Sequence, residues 1–157
     1  MIAGIIHGQS GQPTRRLREI IGALHSARVQ ELALVADDGM ETAWFDGPVI
    51  RGKGTASLLA AVRALPQQDL HGVLYCPLEG PKLSQSLVVD LLQGFWRSGQ
   101  RIILPTKGWR PVIIGTVLAL ELGQAQSLEE FVASHAGEIH RISAVAPAAE
   151  SLEDSRA

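Results

Sequence analysis

The side chains whose type and spacing best suit chemistry are Glu79 and Lys82, in the stretch Leu74-Tyr75-Cys76-Pro77-Leu78-Glu79-Gly80-Pro81-Lys82-Leu83. An apolar run with strand character, His71 to Leu78, ends there on a carboxylate bracketed by turn formers. Open α/β sheets bind their ligands at the C-terminal ends of buried strands. A carboxylate at that position either holds a small hard cation such as Mg2+, with phosphate oxygens and water as the other ligands, or caps the following helix or pairs with Lys82. Two glycine-containing loops offer complementary chemistry. Backbone N–H groups of Gly8-Gln9-Ser10-Gly11-Gln12, followed by a helix bearing Arg15, Arg16 and Arg18, are suited to cradle phosphate. They also fit an ordinary strand-to-helix turn with a solvated basic face, because neither G-x-G-x-x-G nor a Walker pattern is present. Lys53-Gly54-Thr55-Ala56-Ser57 places a cation and two hydroxyls at another helix start, where capping by Thr55 is the simpler account.

Other chemistries are poorly supported. His7, His25, His71, His135 and His140 show no metal-ligand spacing, although His7, at the end of the first strand, is placed to line a cleft. No nucleophile elbow occurs. The single cysteine, Cys76, excludes an internal disulfide and reads as a buried thiol. A net charge of -2 and a pI near 6.2 give no electrostatic reason to expect nucleic acid or an anionic membrane as partner. No apolar run approaches the roughly 18 residues of a membrane span and no signal peptide is evident, so a cytoplasmic protein is expected.

The elements that must position these groups follow from periodicity. With 157 residues, 46% hydrophobic and 19% charged, the chain suits one domain, expected over residues 1–146, with a loosely held acidic tail at 147–157. Strands are expected at Ile2–His7, Glu31–Ala36, His71–Leu78, Arg101–Pro105, Pro111–Ile114 and Glu138–Val145. Between Met40 and Lys53 the periodicity lapses, leaving a loop with room for one edge strand, and the loop aromatics Trp44, Phe45 and Trp109 suit either lids on the core or exposed anchors. Helices are expected after Thr14, from Thr55 to about Leu65, after a Ser84 cap and closed by Gly99, from Thr116 to about Leu122, and after Ser127 in a capping box with Glu130. The link from Arg101–Pro105 to Pro111–Ile114 is too short for a crossover helix, which points to one antiparallel strand. The expected fold class is therefore α/β, a three-layer sandwich with a mostly parallel sheet.

Taken in order, Ala3-Gly4-Ile5-Ile6 before a Gly-x-Ser loop, Gly54-x-x-Ser57-Leu58 opening a helix, and Leu74-x-Cys76-Pro77-Leu78-Glu79-Gly80-Pro81 resemble the molybdenum-cofactor guanylyl- and cytidylyltransferases. These belong to the sugar-phosphate nucleotidyltransferases of GT-A-like fold, and the resemblance extends over nearly the whole chain. It implies Mg2+-dependent transfer of a nucleoside monophosphate from CTP or GTP to a phosphorylated acceptor such as molybdopterin or a sugar phosphate. It places nucleotide binding on Gly8, Ser10, Gly11, Arg15, Arg16, Gly54 and Ser57, the metal on Glu79 and Glu150, and substrate contacts on Lys53, Lys82 and Arg110. Departures fall at the same places: the loop has no lysine, Glu79 stands where the family has Asp, and Trp109-Arg110-Pro111 replaces Gly-His-Pro. They favour as alternative a catalytically inactive relative acting as a nucleotide-binding or protein-interaction module, with a homo-oligomer compatible with either.

Overall fold

A computed structural model of the chain describes residues 1–8, 11, 14–78 and 83–143. Among the described residues seven strands form one sheet in the order β3-β2-β1-β4-β6-β5-β7: β1 (Ile2–Gly8), β2 (Leu32–Ala36), β3 (Val49–Arg51), β4 (Gly72–Pro77), β5 (Ile102–Leu104), β6 (Val112–Gly115) and β7 (Ile139–Arg141). The central strands β1, β2 and β4 are buried on both faces, which is why each reads as an unbroken apolar run instead of an alternating one. β1 pairs in parallel with β2 and β4, β2 with β3, and β5 with β7. Only β6 runs against its neighbours, pairing antiparallel with β4 and β5, as the short link before it requires. Six strands thus deliver their C-terminal ends to one edge of the sheet.

Alternation along each strand sorts the core into two layers. Ile6, Leu34, Leu74, Cys76, Ile103 and Ile113 pack with α1 (Thr14–Ser26) and α3 (Gln85–Ser98). Ile5, Val35, Val73, Tyr75, Leu104 and Val112 face the other way, toward α2 (Thr55–Ala64), α4 (Thr116–Ala119) and α5 (Leu128–Ser134). The stripe Leu17, Ile20, Leu24 is the buried face of α1. Caps behave largely as their residue types dictate. The Ser84 hydroxyl accepts from the Leu87 N–H, and Gly99 closes α3 at φ 74°. Ser127 accepts from the Glu130 N–H, but the Glu130 carboxylate accepts from Gln126 N–H at 2.8 Å, one residue before the reciprocal bond a capping box predicts.

Three expectations need correction. Thr55 does not cap α2: Gly54 is the N-cap with no side-chain bond, while the buried Thr55 hydroxyl donates to Ala125 O at 2.7 Å and ties the start of α2 to another segment. The helix expected from Thr116 to Leu122 divides into α4 and a 3-10 turn, Leu122–Gln124, because this segment bends to bring Gly123 against Leu59 of α2; a Cβ on Gly123 would lie 3.0 Å from Leu59 Cδ2. The last strand covers only Ile139–Arg141 of the span expected to reach Val145, whose final residues lie outside those described. Among the loop aromatics Phe45 is buried and Trp44 and Trp109 are half-buried against the core, which makes them lids and not projecting anchors.

Candidate functional site

The loops that carry the expected site residues leave the C-terminal edge of the parallel strands. Gly8 ends β1, and a Cβ there would approach Met40 Cε and Sδ at 2.9 Å, so glycine lets the chain after β2 close over the end of β1. Gly11 is exposed at φ +87°, a left-handed turn that glycine adopts without strain. Arg15 is exposed on the first turn of α1, and Arg16 is half-buried and donates from Nε to Leu78 O at 2.8 Å. After β3, Lys53 is exposed, Gly54 turns at φ +88°, and Ser57 Oγ donates to Lys53 O at 3.3 Å. Arg110, in the turn between β5 and β6, lies 5.3 Å from the Trp109 ring centroid. Ser10, Glu79, Lys82 and Glu150 lie outside the described residues.

The residues described share one edge but not one point. From β3 to β6 the sheet order spans four strand spacings, about 19 Å at ~4.8 Å each. That length suits an extended ligand or two ligands side by side. The middle of the edge is the best-knit part: Leu78 N–H donates to His7 O at 2.9 Å, continuing the β1–β4 pairing, and Arg16 holds the Leu78 carbonyl from α1. His7 Nδ1 lies 2.8 Å from the Tyr75 hydroxyl between the same two strands.

Two arginines that the sequence did not single out organise the rest of the edge. Arg51, the last residue of β3, donates from Nη1 to Asp37 O (2.9 Å) and Met40 O (2.7 Å) and from Nη2 to Thr42 Oγ1 (2.8 Å), fixing the connection after β2. Arg141, the last residue of β7, donates from Nη1 to Pro105 O (3.0 Å) and Gly108 O (2.7 Å), fixing the β5–β6 turn. Their partners are mostly backbone carbonyls, which leave no side-chain signature. The crowding of Arg15, Arg16 and Arg18 at the positive end of α1 is met locally too, since Arg16 binds a carbonyl and Arg18 lies 5.2 Å from the centroid of the Trp44 ring.

Among the described residues no three or more His, Cys, Asp or Glu side chains gather to hold a metal ion. The carboxylates expected to bind Mg2+, Glu79 and Glu150, are not among them. Burial pushes the Cys76 thiol up to about 12, which leaves it a neutral core group on the face opposite Tyr75. Glu138 is held below its ordinary value by hydrogen bonding to Arg101 (2.6 and 3.0 Å), but that exposed pair lies at the opposite edge of the sheet. A hollow of about 740 Å3 beside α1, lined by Arg18, His25, Leu32 and Trp44, reaches toward the start of β2 and not to the strand ends.

No protein-family model matches the chain, and no curated protein matches it. Solved structures do. Rv0371c from Mycobacterium tuberculosis H37Rv superposes with TM-score 0.70 at 14% identity, over 90% of this chain and 86% of that one, and the same protein has been crystallised in complex with manganese. The 4-diphosphocytidyl-2C-methyl-D-erythritol synthase of Anaerococcus prevotii gives TM-score 0.66 at 12% identity, over 92% of this chain and 90% of that one. The fold is GT-A-like. A third match, glucosyl-3-phosphoglycerate synthase of Mycobacterium tuberculosis in complex with Mn2+, uridine diphosphate and phosphoglyceric acid, gives TM-score 0.63 at 9% identity, over 90% of this chain and 67% of that one. Of the residues expected at the site, those that are described lie in loops at the C-terminal ends of the parallel strands, the edge where open α/β sheets place ligands.

Proposed function

We propose that this protein binds a nucleoside triphosphate across the C-terminal edge of its parallel strands and transfers the nucleoside monophosphate to a phosphorylated small molecule, of which molybdopterin and sugar phosphates are the first to test. The observation that carries this is the Arg16 bond to Leu78 O, which joins the N-terminal turn of α1 to the strand end immediately preceding Glu79. The first turn of α1 is thereby tied to the end of β4. The N–H groups of the loop after β1 and the positive end of α1 bind the triphosphate, with Arg15 adding charge. An oxygen of the acceptor phosphate forms a bond to the α-phosphorus, and the bond from that phosphorus to the α–β bridging oxygen breaks. Pyrophosphate departs with the electron pair. The chain's part is to position the two phosphates and to neutralise charge. A divalent cation, when bound, neutralises phosphate charge further; one or two carboxylates plus phosphate oxygens are its usual complement, and Glu79 is the residue proposed to supply the first.

The test is thermal stability with each nucleoside triphosphate, with and without Mg2+ or Mn2+, followed by pyrophosphate release in the presence of phosphorylated acceptors. Stabilisation by one triphosphate and acceptor-dependent release are expected; no stabilisation by any of them overturns the reading. A second reading, a nucleotide-binding protein without turnover, draws on the departures in the sequence, Glu79 in place of an Asp and a first loop without a lysine. Stabilisation with no release from any acceptor selects it.

A further inference from the structure

Parallel neighbours in an α/β sheet are usually joined through a helix that covers the strands it crosses. Between β2 and β3 the connection, residues 37–48, contains no helix, and Trp44 and Phe45 cover the sheet there on the α1 side. Phe45 is buried; Trp44 is half-buried and meets it edge to face, with ring centroids 6.1 Å apart and planes inclined at 81°. Two rings fill less space than a helix, and a hollow of about 740 Å3 remains between them and α1. That volume lies within the roughly 300–1,000 Å3 of sites for drug-sized ligands. Its outer wall is held in place. A Cβ on Gly47 would lie 2.8 Å from Leu32 O and 3.1 Å from Phe45 Cε2, and the Trp44 Nε1–H donates to Glu41 O at 3.2 Å.

The lining has an apolar middle and polar ends. Ile21, Leu32 and the two rings give a floor suited to a flat ring system. Arg18 stands over the Trp44 ring, 5.2 Å from its centroid, and a guanidinium stacked in this way keeps its N–H groups in its own plane. Arg16, Arg51 and Arg141 direct theirs at carbonyl oxygens, whereas Arg18 makes no hydrogen bond to a described residue. A carboxylate in that plane receives two N–H bonds at once. His25 follows Arg18 by two turns of α1, roughly 10 Å along the axis, and lines the hollow with Gln30 and Asp46. The last two flank the start of β2, and neither bonds to a described residue. An aspartate carboxylate only accepts, so this end suits a hydroxyl or amino group. We propose that the hollow binds a flat aromatic acid about 10 Å long, with its anionic group on Arg18 and a hydrogen-bond donor at its far end on Asp46. The site is separate from the strand-end edge, so the inference does not depend on nucleotidyl transfer.

The experiment follows the tryptophan indole N–H resonances of the full chain during titration with 6-hydroxy-2-naphthoate, 2-naphthoate and 2-naphthol. Loss of a signal in Trp44→Phe identifies Trp44, and loss in Trp96→Phe identifies the exposed Trp96. A saturable shift of the Trp44 signal with Trp96 unmoved is expected, and affinity should fall in the order hydroxynaphthoate, naphthoate, naphthol. Arg18→Gln should weaken both acids about tenfold while naphthol binds as before, which also shows the hollow to be intact. Asp46→Ala should bring the two acids to equal affinity. Parallel, unsaturable shifts of Trp44 and Trp96 show apolar adhesion alone and overturn the proposal. Acids that bind no better than naphthol, or that Arg18→Gln leaves unaffected, overturn it too. Equal affinity of the two acids in the parent overturns the Asp46 contact. Displacement of the acids by the best-stabilising nucleoside triphosphate overturns the separate site. Acid binding with no stabilisation by any triphosphate upholds this inference and removes the nucleotidyltransferase reading alone.

Discussion

Replacing Arg51 tests whether the edge of the sheet is organised by guanidinium–carbonyl bonds. Arg51 makes three hydrogen bonds of 2.7 to 2.9 Å to a connection that has no regular structure of its own between Asp37 and Thr42. A hydrogen bond involving a charged group contributes roughly 1.5–3 kcal/mol when protected from water. Arg51 is exposed, so three such bonds are discounted to about 1–2 kcal/mol in total. Arg51→Lys keeps the charge but not the planar fork, and an ammonium cannot serve all three acceptors in this geometry. Both Arg51→Ala and Arg51→Lys should therefore lower the unfolding free energy by about 1–2 kcal/mol in urea titrations. Hydrogen exchange should speed up selectively at the Met40 and Phe45 amides, which bond to Asp37 O and Thr42 O within the held segment. Because Met40 lies over Gly8, the loosening should also weaken triphosphate stabilisation in both variants. Wild-type stability and exchange in Arg51→Lys would refute the argument, because charge alone would then be sufficient.

Gly52→Ala should cost about 1–3 kcal/mol, since φ +135° is a glycine conformation and the new Cβ would lie 2.5 Å from Ser57 Oγ; adding Ser57→Ala should recover only the contact part, as measured by urea midpoints. For Cys76, a thiol raised from 9.0 to about 12 by burial stays protonated in the fold while it ionises in the unfolded chain. Its stabilising effect is thus complete below pH 9 and declines as pH rises toward 12, by up to about 1.4 kcal/mol per unit. Urea midpoints from pH 8 to 10 should fall less steeply in Cys76→Ala than in the parent, and parallel slopes would contradict the burial argument. Ser84→Ala removes the bond to Leu87 N–H and should cost about 1 kcal/mol with no change in nucleotide affinity. Arg16→Ala should lower both melting temperature and triphosphate affinity because Arg16 joins α1 to the end of β4, whereas Arg15→Ala should lower only the affinity, by about two- to fivefold.

The sheet was legible in the sequence where burial is two-sided. Ile2–His7 and His71–Leu78 read as strands because, His7, His71 and Tyr75 apart, their residues are apolar or small, and β1 and β4 fall within a residue of those spans. The antiparallel β6 was legible from connection length alone. Less visible was β3, two half-buried residues and the exposed Arg51, which pair only with β2 and carry no continuous apolar signal. Thr55 was misjudged because a threonine before a helical run looks the same whether its hydroxyl caps that helix or reaches Ala125, 70 residues away. Local spacing determines the first possibility, and tertiary packing determines the second. The strand ends divide in the same way: Gly11 and Gly54 were readable as turn residues, but the His7–Tyr75 pair depends on strand register that only the fold supplies.

The arginines change what positive charge near this edge means. From the sequence, a cation at a helix start beside a glycine loop suggests an anion, because the helix dipole otherwise disfavours it. In the fold, a backbone carbonyl or an aromatic face relieves the same conflict, as Leu78 O does for Arg16 and the Trp44 ring for Arg18. Charge alone therefore does not separate a phosphate site from a scaffold. What separates them is the atom each guanidinium meets, and along this edge Arg16, Arg51 and Arg141 all meet carbonyls of the segments that follow strands. Such bonds hold loops at fixed positions, which a phosphate-transfer site requires, since its acceleration comes mainly from positioning. A rigid edge is as necessary for recognition as for turnover, so these bonds by themselves do not distinguish an enzyme from a binder; acceptor-dependent release of pyrophosphate does.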